Sequence, residues 1–229
     1  MEKLSEEQIE ALRRVDTCMV SNAIETFNVR LRNAGFTDAR IRCMFEDLPP
    51  VVGYAATARL RTGQAPIAGH MYHERPDWWN SILATPAPRI AVIEDMDEHP
   101  GVGALLGDMH AAILKALGCV AYVTNGAVRE LPRVRQLGFQ LFARNVSVSH
   151  AYAHIFDLGA AVTVAGLEVK PGDLLHGDRH GIVTVPKEIA GDIPAVAAQL
   201  EGHEQRVIDF CGSKEFSVEE LGRVLKDTG

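Results

Sequence analysis

The sequence predicts an α/β domain built around parallel strands, with helical arms at about 1–28 and 187–229. Three observations lead there. Between residues 88 and 144 short apolar runs alternate with amphipathic stretches, the rhythm of β–α units with right-handed crossovers. After residue 155 the chain turns to short strands punctuated by Gly166, Pro171-Gly172-Asp173 and Gly181, as in a β-meander or small barrel-like sheet. Both ends carry capping-box patterns, Ser5-x-x-Gln8 and Ser217-x-x-Glu220.

Taken in order, "SEEQIEALRRV" places Ile9, Leu12 and Val15 at helical spacing, and "TCMVSNAIETF" reads as a second short helix. "VVGYAATARLRTG" alternates with β-branched residues and reads as a strand. "RPDWWNSILAT" sets Trp78, Ile82 and Leu83 on one helical face, and "HERPDWW" points to core or subunit packing. Strands are expected at 90–93, 120–123 and 139–143, and helices at 105–117 and 129–137. A long helix is expected from Pro186 to Cys211, with a proline in its first turn. No repeat or linker divides the chain, so residues 1–229 are read as one domain.

Composition narrows the classes. With 229 residues and 47% hydrophobic content the chain can bury a substantial core. No apolar run is long enough to span a bilayer, and the charged start "MEKLSEEQIE" lacks a signal-peptide core, so a cytoplasmic protein without membrane association is expected. Cys18, Cys43, Cys119 and Cys211 form no C-x-x-C pair and read as reduced thiols. A net charge of −7 argues against nucleic-acid binding, but one arginine can still hold a small anion.

In parallel α/β units ligands gather where strands end and helices begin. Two junctions stand out: "DMDEHPGVGALLGD", leading to Gly107 and Asp108, and "TNGAVRE", with Asn125, Gly126, Arg129 and Glu130. If the two strands are parallel neighbours, Asp108, Arg129 and Glu130 converge. Arg129 then offers a fork for a carboxylate or a developing oxyanion. Asp108 and Glu130 suit a hard cation such as Mg²⁺ or Mn²⁺. Gly107 and Gly126 are the backbone positions expected to approach substrate. The same spacing also fits a solvated Arg–Glu pair contributing about 1 kcal/mol or less, or a Glu130 that complements a helix dipole.

The histidines form a second set. His150 and His154 stand four apart in "SHAYAH", and His176, Asp178 and His180 alternate in "HGDRH". Alternation puts that trio on one face of an extended segment, as a metal or proton-transfer site or as hydrogen-bonding turn residues. His150, His154 and Asp178 are the candidate general acid/base groups. "GVGALLGD" lacks the spacing of a phosphate loop, and neither G-x-S-x-G nor H-E-x-x-H occurs.

"GDMHAAILKALGCVAYVTNGAVRE", with "LGFQLFARNVSV" and "VAGLEVKPGDLLHGDRHGIVTVPKE", resembles the family of the regulator of ribonuclease activity A and the class II pyruvate aldolases. Those aldolases act on 4-hydroxy-4-methyl-2-oxoglutarate and 4-carboxy-4-hydroxy-2-oxoadipate. The resemblance runs from about Cys18 to about Pro186 and is most specific at "GAVRE" and "PGDLLHGDRHGIVTVP". It implies a swivelling β/β/α fold assembled as a homotrimer or homohexamer. It also implies an arginine at Arg129 that binds the pyruvate moiety, and a Mg²⁺ or Mn²⁺ held by Asp108 and Glu130.

The implied activity is a lyase: retro-aldol cleavage of a 4-hydroxy-2-oxo acid releasing pyruvate, with oxaloacetate decarboxylation through the same enolate. The alternative within the family is a non-catalytic protein that binds and regulates an RNA-processing enzyme. The chain departs from the aldolase pattern at Glu130, where Asp is usual, at Asn125 beside the turn, and at Asn22 in Ser21-Asn22-Ala23.

Overall fold

The computed structural model describes residues 3–66 and 76–226. His73, Glu74 and Arg75 of the "HERPDWW" stretch lie outside them.

The centre is a long strand, β2 (Val51–Arg61), buried along nearly its whole length. On one side it pairs in parallel with β3 (Arg89–Asp95), which pairs in parallel with β5 (Cys119–Thr124), and that in turn with β7 (Gln140–Ala143). Such apolar strands, covered on both faces, are the mark of parallel sheets. On the other side β2 pairs antiparallel with β12 (Leu174–Asp178), which forms a hairpin with β13 (Gly181–Val185). The end of β2 also pairs with β9 (His154–Leu158).

A strap over residues 35–43 closes most of the gap between the outer strands. Thr184 N donates to Gly35 O (2.8 Å), and Thr37 N donates to Ile182 O (2.9 Å). Five residues on, β1 (Arg42–Cys43) pairs antiparallel with β7. The sheet therefore curls into a nearly closed barrel-like form. Curling brings the Phe142 ring of β7 against β12 at Gly177, where an added Cβ would lie 3.0 Å from that ring. The absent side chain there makes room for the aromatic core.

Among the described residues, three apolar clusters hold the fold. The barrel interior packs Ile90, Val92, Val123, Phe142, Leu175 and Ile182 together with the hairpin β10 (Val162–Val164) and β11 (Leu167–Val169). On one flank α3 (Pro76–Leu83), α4 (Asp108–Ala116) and α5 (Leu131–Gln136) contribute Trp78, Ile82, Leu114 and Val134. The third cluster joins α1 (Glu6–Arg13), α2 (Thr17–Thr26) and α6 (Ile193–Cys211) to β12 and β13. Among the described residues no helix is long and apolar enough to cross a membrane.

The Ser5–Gln8 capping box is complete in both directions. At the other end Ser217 Oγ accepts from Glu220 N at the start of α7 (Val218–Lys226), a helix with no buried residue. Four expectations need correction. Leu105 and Leu106 are not helical but belong to β4 (Ala104–Leu106), so α4 begins at Asp108. Arg129 precedes α5 rather than opening it, because the backbone first turns left-handed at Glu130. The last long helix begins at Ile193, with Pro194 in its first turn, since residues 187–192 form turns. Leu83 is half exposed, leaving Trp78 and Ile82 as the buried face of α3.

The cysteines are free thiols. Burial pushes Cys119 up to about 12 and Cys43 up to about 11, so both stay protonated and unreactive.

Candidate active site

A second, small parallel sheet brings the two junctions together. β4 pairs with β6 (Ala127–Val128), and β6 pairs with β8 (Asn145–Val146). Leu106 stands opposite Val128, and Arg129 N donates to Leu106 O at 3.0 Å. The residues that follow each strand, Gly107-Asp108 and Arg129-Glu130, are thereby forced side by side.

Glu130 is the hinge of the arrangement. Its backbone is left-handed (φ 57°, ψ 35°), a conformation costing about 1–3 kcal/mol for a residue with a side chain. The turn aims its carboxylate at the start of α4: Asp108 N donates to Glu130 Oε2 (3.0 Å), and Arg129 Nη2 donates to Oε1 (2.8 Å). Glu130 thus caps a helix to which the residue before it, Gly107, offers no side-chain cap.

Gly107 is required for this approach, because a Cβ there would run into the Glu130 carboxylate. Gly107→Ala is expected to displace Glu130 and cost about 1 kcal/mol of stability through the lost cap. Thermal denaturation measures that cost. An unchanged melting temperature would show that Glu130 does not cap α4 as described.

Asp108 Oδ2 accepts from Arg133 Nη1 (3.2 Å), and its Oδ1 accepts from Met109 N. The Arg133 guanidinium, with the Met109 amide second, holds this carboxyl below the usual carboxylate value. Asp108, Arg129, Glu130 and Gly107 line a cavity of about 270 Å³ together with His110 and His150. The Arg129 and Glu130 side chains are roughly 30% exposed, 28% and 30%, so the pair is reachable by a small ligand yet partly shielded from water.

The other expected site residues separate. His150 is exposed at the cavity, with Nδ1 3.0 Å from Ala151 O. His154 is buried at the start of β9, its Nδ1 2.7 Å from Tyr152 O, and does not line the cavity. Asp178 sits in β12, where it accepts from Thr17 N (2.9 Å) and His180 N (2.8 Å), away from Arg129's cavity. His176 is enclosed between Thr17 Oγ1 (3.0 Å) and Leu12 O (3.1 Å), the hydrogen-bonding role that alternation left open.

Gly126 also moves out of the site. It faces Asp95, whose Oδ2 would lie 3.0 Å from an added Cβ. Asn125 is structural: its side chain exchanges hydrogen bonds with the Asp95 backbone, accepting from N (2.7 Å) and donating to O (3.0 Å). It therefore braces β3 against the turn after β5.

His110 is the site residue that sequence reasoning missed. It lies two residues after Asp108 on α4, lines the cavity, and is buried with Nδ1 3.4 Å from Leu105 O. Burial lowers its pKa from 6.5 to about 4, the Leu105 contact opposing this only in part. A neutral, folded His110 and an unfolded chain that takes up a proton below 6.5 make stability fall as pH drops from 6.5 to 4. Nothing further is lost through this group below 4. Integrated over that window the loss is on the order of 3 kcal/mol. Urea unfolding at several pH values should show this acid limb, and His110→Gln should flatten it; an unchanged limb would assign it elsewhere.

The fold and this cavity define an α/β barrel-like protein with an arginine and two carboxylates gathered at strand–helix junctions. A family model described as RraA-like, Aldolase/RraA, matches residues 17–184, and the chain belongs to that family. A relative from Halalkalibacterium halodurans bearing the name "Putative 4-hydroxy-4-methyl-2-oxoglutarate aldolase" is 26% identical over 125 residues, 54% of this chain and 53% of that one. The chain thus spans about half the length of this curated relative.

Among solved structures, an uncharacterized protein from Pseudomonas syringae pv. tomato aligns over 99% of this chain and 96% of its own, with a TM-score of 0.74 and 20% identity. A Streptomyces coelicolor protein, described as an unusual member of the RNase ES inhibitor RraA protein family, aligns over 90% of this chain and 97% of its own. Its TM-score is 0.69 at 22% identity. At these identities the likeness concerns the fold.

Proposed function

We propose that the protein is a divalent-metal-dependent lyase that cleaves a 4-hydroxy-2-oxo acid to release pyruvate, with oxaloacetate decarboxylation as a second reaction at the same site. The observation that carries this reading is the convergence of Arg129, Asp108 and Glu130 on one cavity through the β4–β6 pairing. The aldolase name of the Halalkalibacterium relative agrees with it.

The donor set fits a hard cation. Asp108 and Glu130 offer carboxylate oxygens, and the bare Cα of Gly107 leaves the Glu130 carboxylate room to lie over the start of α4. Asp108 and Glu130 would hold Mg²⁺ or Mn²⁺, whose contribution when bound is Lewis-acid polarisation of the 2-oxo carbonyl.

Arg129 supplies the anion fork. Its Nη2 donates to Glu130 Oε1, which holds the guanidinium at the cavity where its other N–H groups would meet a substrate carboxylate. The same guanidinium then stabilises the negative charge that grows as the carbon–carbon bond breaks. Of the three candidate general acid/base groups named from the sequence, His150 lines the cavity, where it would take the hydroxyl proton; the released pyruvate enolate then regains a proton at carbon.

Met109 of the cavity lining is exposed, as are Val102, Val146, Val148 and Tyr152, Val148 almost fully at 99%. We read these exposed apolar residues as part of the self-association surface of a homotrimer or homohexamer, which sedimentation would measure.

The test is release of pyruvate by the purified protein with Mg²⁺ or Mn²⁺, from 4-hydroxy-4-methyl-2-oxoglutarate or from oxaloacetate above the metal-only rate. Absence of pyruvate from both substrates would overturn the proposal.

A further inference from the structure

We infer that Asp16, Cys18 and His180 form a site for one borderline-soft divalent cation of the Zn²⁺ type, where the start of α2 meets the turn between β12 and β13. The three ligand atoms lie within 4.8 Å of one another, although more than 160 residues separate His180 from the other two. This group shares no residue with the Arg129 cavity.

The convergence is built by a buried group. The Asp178 carboxylate accepts from Thr17 N with Oδ2 (2.9 Å) and from His180 N with Oδ1 (2.8 Å), so it ties together the two segments that carry the ligands. Its Oδ1 also lies 3.0 Å from His180 Nδ1. A carboxylate on one ring nitrogen is how metal-binding histidines are oriented and their tautomer set, with the other nitrogen left to the metal. Asp178 is 7% exposed at the side chain while His180 is 50% exposed, so the positioning group is buried and the ligand faces outward.

The donor chemistry selects the cation. A thiolate, an imidazole and a carboxylate together suit Zn²⁺, whereas Mg²⁺ prefers oxygen ligands alone. Asp16 caps α2 through Oδ1, which accepts from Met19 N at 2.9 Å, so its Oδ2 remains for a metal. Cys18 and His180 also line a cavity of about 270 Å³ with Ser21, Arg32, Phe36 and Thr37. Three protein ligands leave a fourth tetrahedral position for water or a small ligand from that cavity. All three ligands are exposed, which gives the ion its entry path.

The experiment is a Co²⁺ titration of the chelator-treated full chain under reducing conditions, followed by Zn²⁺ competition. The expected result is a near-ultraviolet thiolate-to-cobalt band that saturates at one ion per chain, with visible bands of tetrahedral cobalt that Zn²⁺ erases. Cys18→Ser should abolish the near-ultraviolet band, and Cys211→Ser, at the other exposed thiol, should leave it intact. His180→Ala should weaken Co²⁺ binding about tenfold or more. So should Asp16→Asn, since asparagine caps a helix as well as aspartate. Asp178→Asn should weaken it roughly 10- to 100-fold through the mispositioned ring.

Thermal denaturation provides the fold check. Zn²⁺ should raise the melting temperature of the unaltered protein by mass action, and raise that of Cys18→Ser by less. A missing thiolate band, its survival in Cys18→Ser, or its loss in Cys211→Ser would overturn the proposal.

Discussion

Arg129→Ala is expected to lower kcat/KM for pyruvate release by about 100- to 1000-fold, on the order of 3–4 kcal/mol of transition-state stabilisation. The fold should tolerate the change. Arg129 is about 28% exposed at the side chain and its ion pair with Glu130 is worth on the order of 1 kcal/mol or less, so the melting temperature should hold within a few degrees. Arg129→Lys keeps the charge but loses the fork, and should recover only part of the rate. A coupled pyruvate assay reads both variants. An alanine variant as active as the parent would remove Arg129 from the chemistry.

Phe142→Ala is expected to cost about 3–5 kcal/mol of stability, the largest single-residue effect foreseen in the core. Phe142 is fully buried and reaches across the barrel interior to Gly177, so its ring holds strands that are not neighbours in the sheet. For a domain of this size that loss corresponds to a drop of roughly 6–20 °C in melting temperature. Calorimetry or denaturant unfolding measures it. A cost below about 1 kcal/mol would mean that the interior collapses around the missing ring.

Much of this architecture was legible in the amino-acid pattern. The capping box at Ser5, the second short helix, the strand β2 and the strand–helix alternation behind β3, β5 and β7 are all local signals, and the structure follows them, although β2 is buried continuously rather than at alternate residues. Strands of two or three residues carry no periodicity, so Leu105-Leu106 merged with the helix after it, and Ala127-Val128 went unread. Yet these short strands place Asp108 beside Glu130.

The site divides along the same line. Arg129, Glu130 and Asp108 were found as charged residues at strand–helix junctions, which the sequence can display. His110 was missed because a histidine inside an Ala- and Leu-rich helix looks like any other core position. Its relevance comes from the direction in which α4 points after Gly107. Asp178 was read as a proton-transfer candidate because its partner, the amide of Thr17, stands 161 residues away and no local pattern announces it.

The strap over residues 35–43 has a consequence for how the chain behaves at high concentration. An open sheet exposes rows of unpaired amides and carbonyls onto which another molecule can add a strand. Here the hydrogen bonds of Gly35, Thr37, Arg42 and Cys43 occupy much of both outer margins. Any change that frees the strap, even one that leaves the Arg129 cavity intact, should expose two β-edges at once and make the chain aggregate more readily.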